Sequence, residues 1–218
     1  MDYDFVNSPL YSLLLGGKHY KLPKGQVVNG FDDNTLFNMI KSGYIKRYLI
    51  TNDGTKSIQV IYGPDDVFPL TPVYKNIFKM DIYSGPEQYY YESMTELEIC
   101  SINQAALQEA VDNDPLIYKD LYYAAGLRLN SYIHRLESMS LRVANRKVAY
   151  QLSYLAKIYG HKTEEGIEIP IPLTHQILAD VLNLARETVT HCVSRLNEKG
   201  VIKTQGNKIT VVDLEKLK

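Results

Sequence analysis

Arg186, Glu187, Thr190, His191, Ser194 and Arg195 recur at three- and four-residue intervals, the spacing that lines one face of a helix. Their types suit the major groove of DNA. An arginine can donate twice to guanine O6 and N7, a glutamate can accept from cytosine N4, and a threonine can touch a thymine methyl. Between them fall Val189, Val193 and Leu196, the inward face of the same helix. A solvated face with Glu187 paired to His191 or Arg195 is the competing reading of this pattern.

That face needs elements to hold it. Thr174 is suited to cap a preceding helix, because its hydroxyl can accept from a first-turn N–H. Ile177, Leu178, Val181 and Leu182 give that helix an apolar side. Asn183-Leu184-Ala185 is a tight connection to a second helix from Arg186 to Lys199, with Gly200 as its left-handed end. Val201–Thr204, a turn at Gly206-Asn207 and Lys208–Val212 form a hairpin. The order is helix, turn, helix, wing. Thr174, His175 and Gln176 start the first helix, where free N–H groups favour a phosphate. Gly160 to Gly166 is a polar loop, and Glu168–Pro172 is expected as an extended edge segment, since its prolines cannot donate ladder hydrogen bonds.

Upstream, residues 20–104 read as β-structure: short runs rich in Tyr, Ile and Val, punctuated by Gly25, Gly30, Gly43, Gly54, Gly63 and Gly85. Tyr44–Ile50, Asn52-Asp53-Gly54 and Ile58–Tyr62 make the clearest hairpin. Strands at this spacing suit a barrel or sandwich. A short helix is expected over Gln104–Asn113, and a long one after Pro115. In the long helix Leu121, Ala125, Leu129, Ile133 and Leu136 form a stripe, which fits a seam between two copies or packing onto the chain's own barrel; we take the first. Ser138–Leu141 is the expected hinge before a helix over Arg142–Tyr159. The expected division is 1–114 sensor barrel, 115–141 dimerisation helix and hinge, and 142–218 DNA-binding domain.

Leu173-Thr174-His175-Gln176, Arg186-Glu187-Thr188-Val189-Thr190 and Arg195-Leu196-Asn197-Glu198-Lys199-Gly200-Val201-Ile202 resemble the Crp/Fnr transcription regulators. Lys41–Lys46 and Gly54–Gly63 look like that family's double-stranded β-helix sensor domain. The resemblance implies an α+β chain: a jelly-roll-like N-terminal barrel, a long dimerisation helix and a C-terminal winged helix-turn-helix. It implies a homodimer on near-palindromic double-stranded DNA, the recognition helices about one turn apart. The DNA-binding set is then Thr174, His175, Gln176, Arg186, Glu187, Thr188, Thr190, His191 and Arg195, with base reading carried onto Arg186 and Glu187. At the third reading position the family usually has arginine and this chain has His191, so a different base preference is expected there. Contact with RNA polymerase through the 160–168 loop is implied by the family alone.

Cyclic-nucleotide binders of that family hold ribose and phosphate with a Gly-Glu and an Arg-Ser pair. The corresponding stretches here are Val67-Phe68-Pro69-Leu70 and Glu87-Gln88-Tyr89-Tyr90. Neither pair is present, and a carboxylate at Glu87 would repel a cyclic phosphate, so cyclic AMP is not the expected effector. The chain has 18 tyrosines and no tryptophan. Tyr89 and Tyr91 share one face of a strand. With Leu70 they are the expected lining for an amphipathic small molecule, unless they simply fill the core. A constitutive regulator without ligand is the alternative.

Composition narrows the remaining classes. Arg142–Lys218 carries 12 Lys and Arg against 8 Asp and Glu, a net of +4, within a chain of net −1. A basic C-terminal third on an acidic body suits nucleic acid. Only two cysteines occur, Cys100 and Cys192, far apart, so neither a structural zinc site nor an iron–sulfur cluster is expected. His19 is the only histidine before residue 134, too little for a haem sensor. No cofactor or metal is expected. No nucleophile–base motif, HExxH or Walker loop points to an enzyme. No apolar run reaches the ~20 residues of a membrane span, and the acidic start is unlike a secretory signal; the cytoplasm is the expected location.

Overall fold

The computed structural model describes residues 3–28, 36–80 and 89–217. Gly30, Gly85, Glu87 and Gln88 lie outside the described residues. The chain forms two compact units: Met1–Leu49 with Gln59–Asn130, and Ile50–Ile58 with Ser131–Lys218.

The first unit is built on two four-stranded sheets, a jelly-roll-like arrangement from which residues 50–58 are set apart, as part of the second unit. Its strands are β1 Lys18–Leu22, β2 Val27–Val28, β3 Leu36–Ser42, β4 Ile45–Ile50, β5 Lys56–Tyr62, β6 Val67–Phe68, β7 Tyr90–Ser93 and β8 Leu97–Asn103. One sheet runs β1-β8-β3-β6 and the other β2-β7-β4-β5. The β3–β4 turn depends on Gly43, at φ +89°. A Cβ there would stand 2.2 Å from the carbonyl oxygen of Glu96, so no other residue fits without moving the backbone.

Helices close one side of this unit. Helix α1, Pro9–Leu15, starts where Ser8 accepts from the Tyr11 amide and Pro9 takes the first position. It buries Leu10 and Leu14 completely. Helix α2 spans Gln104–Asn113, as its sequence predicts, and α3 spans Leu116–Ser140. Leu10, Leu14, Phe37, Leu70, Leu107 and Leu121 share one core. The α3 stripe is not a single face. Ile117, Leu121, Ala124 and Arg128 are buried in this unit, whereas Tyr122, Leu129, Ile133 and Leu136 are exposed, up to 76% for Tyr122. Leu121 thus belongs to the core and not to the seam expected for it. The helix has two apolar sides because side chains four and seven apart align along it, and 118, 122, 129, 133 and 136 fall on a different row from 117, 121, 124 and 128.

The second unit contains α4 Ala144–Tyr159, α5 His175–Leu182, α6 Arg186–Glu198 and a four-stranded sheet ordered β11-β12-β10-β9. These strands are β9 His161–Thr163, β10 Gly166–Ile169, β11 Ile202–Gln205 and β12 Lys208–Val211. Three expectations are corrected here. The 160–166 segment is not simply a loop, because its residues 161–163 form β9 and pair with β10. Strand β10 is interior, between β9 and β12, and ends at Ile169, so Pro170 and Pro172 remove no ladder donor. The break between long helices falls at 141–143, because α3 stays helical through Ser140.

Candidate nucleic-acid interface

Helix α5 begins as its residues dictate. Thr174 Oγ1 accepts from the Ile177 amide at 3.1 Å, leaving its hydroxyl hydrogen to donate outward. Asn183 ends the helix at φ 51°, ψ 51°, the left-handed conformation that asparagine tolerates. After two intervening residues α6 starts at Arg186, and Ala185 gives it no side-chain cap. Its first N–H groups therefore keep the positive end of the helix available to an anion. Val189, Cys192, Val193 and Leu196 are buried beneath it. Gly200, at φ +67°, turns the chain into the wing. The Leu173 amide donates to Asn207 O at 3.0 Å and ties the wing to the start of α5.

On the outer side of α6, Arg186, Glu187, His191, Ser194 and Arg195 are exposed, with Thr188 and Thr190 half-buried. The five exposed side chains make no hydrogen bond or ion pair to any described residue. The Glu187–His191 pairing that would mark an ordinary solvated face does not form. Thr190 is different. Its hydroxyl donates to Arg186 O at 2.9 Å, and His175 Nδ1 lies 2.9 Å from Thr190 Oγ1. A threonine has one hydroxyl hydrogen, so the histidine must be the donor and carries its proton on Nδ1. Neutral His175 then presents Nε2 as an acceptor, and only the imidazolium could donate from Nε2 to a phosphate. Gln176 donates to Asp180 at 2.7 Å. The wing carries Lys203 and Lys208, paired on the surface with Glu165 at 2.9 Å and Glu168 at 3.4 Å. Such exposed pairs are worth about 0–1 kcal/mol, so both lysines are cheaply diverted to phosphate.

Sequence reasoning overlooked Arg135, near the end of α3. It donates through Nη1 to Ile58 O at 2.6 Å and Val181 O at 3.0 Å, and through Nη2 to Ser57 Oγ at 3.3 Å. Ser57 Oγ donates in turn to Asn183 Oδ1 at 2.9 Å. No motif marks this residue, since three backbone or hydroxyl partners far apart in sequence leave no local pattern. Next to it, His134 stacks between Tyr150 and Tyr154, ring centroids 4.4 and 4.0 Å away, with Nε2 3.3 Å from Gln151 Oε1. Burial pushes its pKa down.

The expected effector residues lie in the first unit and go to different neighbours. Leu70 belongs to the core with Leu10 and Leu107. Tyr91 is fully buried, 5.5 Å from Phe68 and 6.4 Å from Tyr62, ring to ring. Tyr89 is half-buried, its face 4.4 Å from the Arg47 guanidinium. The chain also places Arg128 of α3 over Tyr62 at 4.1 Å, paired with Asp66 at 3.1 Å. Cys100 and Cys192 are buried free thiols, and burial raises the pKa of both. Among the described residues no cluster of three or more metal-ligating side chains occurs, and no helix is long and apolar enough to cross a membrane.

A jelly-roll-like unit followed by a winged helix-turn-helix is the architecture of a DNA-binding regulator. Residues 146–218 match the Crp-like helix-turn-helix domain family. The chain is 25% identical over 197 residues to the CRP-like cAMP-activated global transcriptional regulator of Mycobacterium tuberculosis, covering 89% of this chain and 84% of that one. It is 26% identical over 207 residues to the anaerobic regulatory protein of Bacillus subtilis, covering 92% and 82%. Its fold is that of FixK2 from Bradyrhizobium japonicum, at TM-score 0.74 and 19% identity over 92% of this chain and 94% of that one. The same holds for a CooA mutant from Carboxydothermus hydrogenoformans, at TM-score 0.75 and 18% identity over 100% and 95%. Residues 146–218 thus form a Crp-like helix-turn-helix domain, and the chain as a whole is similar to transcription regulators of the Crp/Fnr type, with a cyclic-nucleotide-binding-like domain ahead of that DNA-binding unit.

Proposed function

We propose that this regulator acts in the cytoplasm as a homodimer on a near-palindromic promoter site, with α6 in the major groove. The observation that carries this reading is the row of exposed, unpartnered polar side chains on α6. Arg186 and Glu187 read base edges, Thr190 and His191 extend the readout, and Arg195 with Thr188 serves the phosphates. Thr174, His175 and Gln176 anchor the backbone at the start of α5. The exposed α3 row of Tyr118, Tyr122, Leu129, Ile133 and Leu136 supports a seam between two copies, because side chains of that size are seldom left contiguous in water. The working division is 1–114 for sensing, 115–141 for coupling and 142–218 for reading.

Control by an effector other than a cyclic nucleotide is supported by the Val67–Leu70 stretch, which offers apolar side chains where a phosphate and ribose would need charge and hydroxyl partners. Leu70, Tyr89 and Tyr91 are the residues proposed to respond to it. A ligand-free regulator set by its abundance is the second reading, favoured by how fully Tyr91 and Leu70 are already packed. RNA polymerase is a proposed partner of the 160–168 segment. Sedimentation of the purified protein tests the seam: a dimer that Leu129→Glu with Leu136→Glu converts to a monomer is expected, and a wild-type monomer on and off DNA would refute it. A melting-temperature screen against small molecules separates the two sensor readings, since a ligand of the folded state must raise the midpoint.

A further inference from the structure

Arg135 is a charged side chain held by neutral groups. It is half-buried, and among the described residues its partners are two backbone carbonyls and one hydroxyl, with no carboxylate within ion-pair distance. A guanidinium taken partly out of water without a counter-ion costs free energy unless its N–H groups are well used. The two hydrogens of Nη1 meet two carbonyls from separate parts of the second unit. Ile58 O belongs to β5, the edge strand of its sheet, and Val181 O to the last turn of α5. Nη2 reaches Ser57 Oγ, and because Ser57 spends its only hydrogen on Asn183 Oδ1, the hydroxyl must accept from the arginine. The result is a directed chain, Arg135 N–H to Ser57 O–H to Asn183 C=O, in which each bond polarises the next.

The end of this chain matters because of where Asn183 stands. It is the left-handed residue between α5 and α6, so its conformation sets the angle at which the recognition helix leaves the turn. We infer that Arg135 is a positioning residue for DNA recognition: through Val181 and Ser57 it clamps the α5–α6 turn against the 57–58 segment and the end of α3, and so fixes α6 without touching DNA. The inference rests on the DNA-binding reading above. It assigns a role in that reading to Ser57 and Asn183, and it separates Arg135 from the exposed arginines of α6. Burial lowers the arginine's pKa from its ordinary value, in keeping with a site that lacks a carboxylate, but the guanidinium stays charged at neutral pH.

The experiment compares wild-type protein with Arg135→Gln, Arg135→Lys, Ser57→Ala and the double variant Arg135→Gln/Ser57→Ala. Two quantities are read: the dissociation constant for a fluorescein-labelled duplex bearing the wild-type protein's own selected site, and amide exchange over 50–58, 180–186 and 201–211 in the free protein. Melting temperature serves as the folding control, and Ser57→Ala is the mild variant should Arg135→Gln fold poorly. Arg135→Gln is expected to weaken binding about tenfold, in the range of ordinary coupling between sites. Ser57→Ala should weaken it less, the double variant should match Arg135→Gln alone, and Arg135→Lys should recover part of the loss by keeping one carbonyl bond. Exchange should rise at 50–58 and 180–186 together and stay unchanged in the wing. Equal or tighter binding by Arg135→Gln, or effects of the two substitutions that simply add, would overturn the clamp while leaving DNA binding intact. A wild-type protein that selects no site would instead remove the DNA-binding reading, and the clamp's role with it.

Discussion

The outer face of α6 and the interior of the first unit handle polar chemistry in opposite ways. On α6, Arg186, Glu187, His191, Ser194 and Arg195 are exposed, aligned and without a side-chain partner among the described residues, and packing falls to Val189, Cys192, Val193 and Leu196 on the other side. Inside the first unit many polar groups are engaged with each other: Arg128 with Asp66 and Tyr62, Lys46 with Glu92 at 2.8 Å, and Ser101 with Asn38 at 2.5 Å. A surface that must read a partner keeps its donors and acceptors available. An interior must satisfy them at once or lose stability. The same residue type therefore means different things in the two places, and Arg128 and Arg186 show it most sharply.

Substitutions can break that contrast, the heaviest first. Tyr91→Ala, in the aromatic stack, is expected to cost about 3–5 kcal/mol of stability, read as a fall in the urea midpoint. Arg128→Gln removes the positive charge from a largely buried ion pair with Asp66, and a loss of up to about 3–5 kcal/mol is expected by the same measurement. Neither change touches α6. If either relaxed base specificity while the fold held, the division between packing and reading would be wrong. Arg186→Ala should do the reverse. It should leave the urea midpoint within about 0.5 kcal/mol, as surface changes do. It should cost about 1–3 kcal/mol of specific binding, read as the ratio of site to non-site affinity. Lys203→Gln sits at the light end. Stability should move by less than about 1 kcal/mol, and the slope of log affinity against log salt should become shallower by about one phosphate contact.

A pH series sharpens the comparison at His134, which lies in the second unit but behaves as interior. Burial disfavours its charged form, so its folded pKa lies below the unfolded value of about 6.5. Above that value neither state holds the proton, and this group adds no pH dependence. As pH falls below about 6.5 the unfolded chain takes up the proton first, so stability is lost through the window down to the folded pKa. His134→Gln should flatten that part of the curve in urea melts. An unchanged slope would mean that the stacked imidazole is not the group responsible.

What the sequence made legible follows the same line. The winged helix-turn-helix was readable nearly to the residue, because Thr174, Asn183 and Gly200 are local signals and the reading face is free of packing constraints. Helix α2 and the Asp53-Gly54 hairpin were readable for the same local reason. Helix α1 went unread although Ser8-Pro9 marks its start, since a seven-residue helix gives little periodicity. The β9 strand was mistaken for loop because three residues, His161-Lys162-Thr163, show no alternation of burial; all three are exposed. The α3 stripe misled at Leu121, where one helix carries two apolar rows and spacing alone does not say which row meets which partner. Arg135 was invisible because its partners at 57, 58 and 181 come together only on folding.

Selection of bound sequences from a random duplex pool by full-length wild-type protein at ~150 mM salt, where non-specific binding is weakened, shows whether α6 reads base pairs. The account predicts an inverted repeat with half-sites about one helical turn apart, carrying G·C pairs opposite Arg186 and Glu187. Arg186→Ala should then lose that preference at its own position alone. A folded dimer that enriches no sequence, or an Arg186→Ala variant that selects the unaltered repeat, would contradict it.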